Sequence, residues 1–179
     1  MVVLNPSDHY EMKAAVRAMV EHNGPCYIRL GRLAVETINH NDDYKFELGK
    51  GITLREGTDI SIIATGLMVQ EAAKAAEILA AEGISAEVIN IHTIKPIDEE
   101  LIVATAKKTG CVVTAEEHNV IGGLGEAVAA VLSEKCPTPV TRIGVNDEFG
   151  HSGPALDLLK EFGLTADHIV EVVKNKLGK

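Results

Sequence analysis

The 179-residue chain has no tryptophan, only three phenylalanines and three tyrosines, and three cysteines. With so few aromatic side chains, a core must be packed mainly by Ala, Val, Ile and Leu, a mix that suits buried strands covered by alanine-rich helices. Cys26, Cys111 and Cys136 are odd in number and lack C-x-x-C spacing, which argues against a disulfide framework, a redox pair or a zinc site and for a reduced, cytoplasmic setting. No stretch approaches the roughly 20 continuous apolar residues of a membrane span, and the first residues lack the basic segment and apolar run of a leader. The expectation is a soluble, unprocessed protein. Basic residues are also scarce: 17 Lys and Arg face 26 Asp and Glu, for a formal charge of −9. No Lys/Arg cluster offers a phosphate-backbone footprint, so nucleic acid is not an expected partner.

Apolar residues make up 46% of the chain, enough for a sizeable core. From residue 59 onward, short β-branched runs alternate with helical patterns, the signature of a parallel sheet with crossover helices. Strands are expected at 59–64, 86–91, 111–115 and 140–143. Helices are expected at 68–82, at 99–108 behind the N-cap Asp98, and at 124–134. Two more helices follow, one starting near Pro154 and one after the N-cap Thr165.

The residues before 59 read differently. Val2 to Leu4 forms a strand stub, Ser7 to His22 a helix and Cys26 to Leu30 a second strand. A lone βαβ unit cannot cover both faces of its sheet or protect its edges, so it requires more sheet from elsewhere. The division expected is therefore a domain tail at 1–32, a polar connector at 33–58 centred on Asn39 to Asp43 with a short strand near Ile52 to Leu54, and a domain at 59–179.

Several residues carry candidate chemistry. Gly122-Gly123-Leu124-Gly125 lies between a strand and a helix, where backbone amides can receive a phosphate, but close packing explains those glycines better. Glu116, Glu117 and His118 end a strand on the side where parallel sheets bind ligands; acid/base work and a domain contact are both open to them. His92 and His151 sit in loops where exposure or a satisfied hydrogen bond is the ordinary reading. Arg29 and Arg32 follow the Cys26 strand, where a guanidinium suits either a phosphate or an interdomain carboxylate.

Pro6-x-Asp8 with Glu11, followed by Tyr27-Ile28-Arg29-Leu30-Gly31-Arg32, is similar to the end of the pyrimidine-binding domain of transketolases. Ala64-Thr65-Gly66, His92-Thr93-Ile94-Lys95-Pro96-Ile97-Asp98, Glu116-Glu117-His118 with Gly122 to Ala127, and Ser152-Gly153-Pro154 resemble the C-terminal domain that follows, in the same order. The resemblance implies an α/β fold of three layers, α/β/α, with a mixed, mostly parallel five-stranded sheet bearing one antiparallel edge strand, preceded by a partial βαβ unit. It implies ketol transfer between phosphorylated sugars by thiamine diphosphate, held by a divalent metal such as magnesium, in a complete enzyme that forms dimers. Arg32 matches the arginine that contacts the substrate phosphate, although Gly31 stands before it where several relatives have Ser. The family's glycine-aspartate-glycine metal signature and its cofactor-activating glutamate are not in this sequence, so no catalytic, cofactor or metal residue is expected here and the chain alone is expected to be inactive. The corresponding part of a deoxyxylulose phosphate synthase, that of a 2-oxo acid dehydrogenase beta subunit, and a noncatalytic assembly or regulatory domain are the alternatives.

Overall fold

A computed structural model describes residues 1–39 and 44–179. His40, Asn41, Asp42 and Asp43, central to the expected connector, lie outside the described residues. In chain order the elements are β1 (Val2–Leu4), α1 (His9–Glu21), β2 (Cys26–Ile28), β3 (Ile52–Arg55), β4 (Ile60–Ala64), α2 (Met68–Ala81), β5 (Ala86–Asn90) and β6 (Thr93–Lys95). They continue with α3 (Glu99–Thr109), β7 (Val112–Asn119), α4 (Leu124–Lys135), β8 (Val140–Val145), α5 (Ala155–Glu161) and α6 (Ala166–Leu177).

The main sheet has the order β3-β5-β4-β7-β8. Only β3, at one edge, is antiparallel to its neighbour. Period-two alternation decides which helices each strand residue meets. Ile60, Ile62, Val88 and Val113 join one core with α2 residues such as Val69 and Leu79 and α6 residues such as Ile169. Ile63, Ile89 and Val112 point the other way, into a second core with Ile102 of α3 and Val128 of α4. The result is three layers, α/β/α. Sequence periodicity missed one polar intrusion into the second face: Glu87, 2% exposed, receives the hydroxyls of Ser61 and Thr105 and the ammonium of Lys108. A carboxylate is tolerated there because donors replace its water.

β1 pairs in parallel with β2, as the opening pattern predicts, but its other side is taken by β6, antiparallel, with Leu4 opposite Thr93. Part of the sheet that the opening unit needs is therefore supplied by the later half of this chain. Thr93–Lys95 is too short to display a period, which hides it from sequence reading. Other boundaries shift for local reasons. The first helix begins at His9 rather than Ser7 because Asp8 caps it, accepting the Glu11 amide at 2.9 Å. β2 stops at Ile28 rather than Leu30, and β7 runs four residues past Ala115, through the charged Glu116 to Asn119 segment.

The two sheets are also stitched at Asn5. Its amide donates to the His92 carbonyl at 2.9 Å, and its carbonyl accepts from the Gly66 amide and the Thr65 hydroxyl, both at 3.2 Å. Gly66 has φ +57°, and a Cβ there would stand 2.6 Å from the Asn5 side-chain oxygen, so both its backbone and its neighbour require glycine.

Candidate functional site

The end of β7 organises the polar residues singled out in the sequence. Because side chains alternate along a strand, Glu116 faces α4 and Glu117 the opposite side of the sheet. Glu116 is 1% exposed, and its carboxylate accepts the amides of Leu124 at 2.7 Å and Gly125 at 2.8 Å. It thus satisfies the N-terminus of α4 with a negative charge. A Cβ on Gly123 would overlap that carboxylate, and the Gly122 amide donates to Glu126 at 2.8 Å. The glycine run is thus packed against the protein's own carboxylates, in line with the packing reading. Burial pushes the Glu116 carboxyl up, while the two amides, His118 and Arg29 oppose the shift.

Glu116 and His118 do not form an acid/base couple. Their side chains are 3.9 Å apart, and His118 Nδ1 lies 2.7 Å from the Asn119 carbonyl oxygen. Arg29 and Arg32 likewise do not form one clamp. Arg29 lines a cleft of about 100 Å³ with Asn5, Thr65, Glu116 and His118, between the two sheets. Arg32 lines a separate cavity of about 260 Å³ with Glu117, His151 and the apolar side chains of Leu33, Leu158 and Phe162. His151 Nε2 lies 3.0 Å from a Glu161 carboxylate oxygen, and its ring packs near Phe162 with centroids 5.7 Å apart. Burial raises the Glu117 carboxyl, and the positive charge of Arg29 opposes it. A Cβ on Gly31 would stand 3.6 Å from Glu117 Oε2, an ordinary contact, so neither space nor a positive φ requires glycine there.

His92 is neither exposed nor fully satisfied. It is 1% exposed and packs on Phe46 at 4.2 Å between ring centroids; Nδ1 lies 2.9 Å from the Thr93 hydroxyl, while Nε2 has no partner among the described residues. Burial lowers its pKa to about 4, against the pull of Asp98, which keeps the ring neutral at ordinary pH.

A second polar centre surrounds Glu11, which is fully buried. Its carboxylate accepts from the Ser7 amide at 2.6 Å, the Ser7 hydroxyl at 2.8 Å, Asn90 Nδ2 at 2.8 Å and the Tyr44 hydroxyl. Asp8 adds the amides of Ile38 at 2.8 Å and Asn39 at 2.7 Å. Asp8-x-x-Glu11 is a capping-box spacing and was the available signal; the link to residues 38–44 requires the tertiary structure.

Fold and cavity define a class: a mixed-sheet α/β/α domain, joined to a small βαβ sheet, that presents an arginine-bearing cavity at its strand ends. Comparison with known proteins narrows it. The model for the transketolase C-terminal domain matches residues 49–169. A 6-deoxy-6-sulfo-D-fructose transketolase subunit from Clostridium sp. (strain MSTE9) is 52% identical, over 95% of this chain and 52% of its own length. An apulose-4-phosphate transketolase subunit from Phocaeicola vulgatus is 40% identical, over 94% of this chain and 54% of its own. A solved split-gene transketolase, an inactive β4 tetramer, superposes with a TM-score of 0.92 at 48% identity, covering 99% of this chain and 57% of that one. The chain belongs to the transketolase C-terminal domain family. It spans about half the length of the curated relatives it matches.

Transketolases use thiamine diphosphate, and among the described residues neither its diphosphate nor a metal finds groups that fit it. The glycine-lined helix N-terminus, the place best suited to a diphosphate, already holds Glu116. Among the described residues, no group of three or more His, Cys, Asp or Glu side chains converges on a metal position. Nor is any helix among them long and apolar enough to cross a membrane.

Proposed function

We propose that this chain is the C-terminal portion of a thiamine diphosphate-dependent transketolase, where it contributes assembly surface and a contact for the substrate phosphate and is inactive alone. The observation that carries the reading is the junction at Arg32: an arginine from the opening unit and residues from the second domain line one cavity, while the helix N-terminus best suited to a diphosphate is filled by Glu116. In this reading residues 1–32 are the tail of a pyrimidine-binding domain, 33–58 the connector, whose β3 completes the edge of the main sheet, and 59–179 the C-terminal domain. The diphosphate-binding part and the rest of the pyrimidine-binding part belong to the remainder of the enzyme. Magnesium or another divalent ion is bound there, in a cytoplasmic, dimeric enzyme.

Arg32 holds the anionic end of a phosphorylated sugar by charge-assisted hydrogen bonds. The names of two relatives support an anionic substrate terminus, one carrying a sulfo group and one a 4-phosphate. The β4 assembly of the solved relative, named inactive, supports both self-association and dependence on a second component.

The test is reconstitution. This chain, mixed with the diphosphate-binding part and the rest of the pyrimidine-binding part, is assayed for ketol transfer from a phosphorylated ketose to a phosphorylated aldose. Transfer is expected only in the mixture. Robust turnover by this chain alone with thiamine diphosphate and magnesium would overturn the proposal, and formation of deoxyxylulose phosphate with release of carbon dioxide, when pyruvate replaces the ketose as donor, would reassign it to the synthase branch.

A further inference from the structure

We infer that Glu117 is a positioning residue for Arg32, holding the segment after β2 so that the guanidinium faces the cavity. The inference deepens the Arg32 reading above and rests on it. The segment has few restraints of its own. The Arg29 amide donates to the Leu4 carbonyl at 2.9 Å and the Glu36 amide to Gln70 at 2.9 Å, and between them no backbone hydrogen bond fixes residues 30–35 among the described residues. Leu33 and Val35 pack against the first core, which anchors the chain beyond Arg32. On the near side, the fixed neighbour is Glu117. It stands on β7 between the paired residues Ala115 and Asn119, next to Glu116, which is tied to α4 by two amide hydrogen bonds, and its Oε2 comes within 3.6 Å of where a Cβ on Gly31 would be.

Charge completes the argument. The carboxylate is half-buried and lies beside Gly31, with Arg29 two residues before it and Arg32 one residue after. The positive charge of Arg29 acts on this carboxylate, which draws Glu117 toward the segment that carries Arg32. Glycine at 31 leaves this carboxylate without a side chain between it and the arginine segment.

The experiment uses inorganic phosphate titrated into the full chain and followed by amide NMR, with hydrogen exchange measured over residues 30–35. Wild-type chain is expected to show phosphate-dependent shifts around the cavity that Arg32→Ala abolishes. Glu117→Gln is expected to weaken phosphate binding about fivefold, the scale of a partly exposed charge pair, and to speed exchange over 30–35. Glu117→Asp is expected to recover part of both effects. If Glu117→Gln binds phosphate as tightly as wild type or more tightly, or leaves exchange unchanged, the positioning role is wrong while the Arg32 reading stands. If wild type shows no phosphate-dependent shifts, or Arg32→Ala binds phosphate like wild type, the Arg32 reading itself fails.

Discussion

A methyl group at position 123 would occupy the space of the Glu116 carboxylate, so Gly123→Ala must push a buried charge away from the two α4 amides that satisfy it. The cost combines overpacking with lost charge-assisted hydrogen bonds, and about 2 kcal/mol or more of stability is expected to disappear. Urea unfolding would register this as a lower midpoint with an unchanged slope. A variant as stable as wild type would remove the carboxylate-capping account of the glycine run. Glu11 offers a test of sign. Burial raises its carboxyl above 4.5, against the hydrogen bonds from Tyr44, Ser7 and Asn90. A raised folded pKa means that the native chain binds the proton more tightly, so stability from this group falls as pH climbs from 4.5 through the raised value. The stability of wild type relative to Glu11→Gln is therefore expected to decline with rising pH across that interval. A difference that grows with pH would show that the four donors outweigh burial.

At the scale of elements, α1 and the following connector are joined by one side chain. Asp8 caps the helix through the Glu11 amide and holds the Ile38 and Asn39 amides. Burial alone would raise its carboxyl, but these hydrogen bonds together outweigh it and the net shift is downward. Its contribution is thus present above the ordinary carboxylate range and lost as pH falls through the lowered value. Asp8→Ala is expected to cost about 1 to 2 kcal/mol and to accelerate amide exchange at Ile38 and Asn39 as well as in the first turn of α1. Unchanged exchange at 38 and 39 would mean that the connector is held by other contacts. The Asp8-x-x-Glu11 spacing carries a signal for the cap, but the helical pattern alone starts the helix at Ser7, and the second role of Asp8 depends on residues 30 positions away. The same boundary recurs elsewhere. The β/α alternation after residue 59 was readable from apolar runs and helix caps, but β6 was not, because Thr93–Lys95 carries no periodic signal and exists by pairing with β1. Glu116 and Glu117 were visible as a pair at a strand end. Their opposite destinations followed only once β7 was known to continue through them, and the cavity uniting Arg32, Glu117 and His151 joins residues more than 80 positions apart, which no local pattern encodes.

At the scale of the molecule, the question is whether the opening unit and the main sheet unfold together. The core of the small sheet is slight, built on Val2, Leu4 and Ala15 with half-buried neighbours such as Met19 and Phe46, and by itself it buries little apolar surface. Its stability must come largely from attachment through β6, the three Asn5 backbone bonds and the buried His92. The chain supplies a natural probe, because it has no tryptophan and its three tyrosines, Tyr10, Tyr27 and Tyr44, all precede the main sheet. Tyrosine fluorescence therefore follows the opening unit and connector, while far-ultraviolet circular dichroism is dominated by the helices of the main domain. In wild type the two urea transitions are expected to coincide, as two-state unfolding requires. Gly66→Ala strikes the attachment, since it places a Cβ against Asn5 at a backbone conformation that disfavours one. A penalty of about 1 to 3 kcal/mol falls at the seam between the sheets, so the tyrosine transition should move to lower urea than the circular-dichroism transition. If both probes shift together in the variant, the seam is no weaker than the cores it joins, and the opening unit is an integral layer of the main domain.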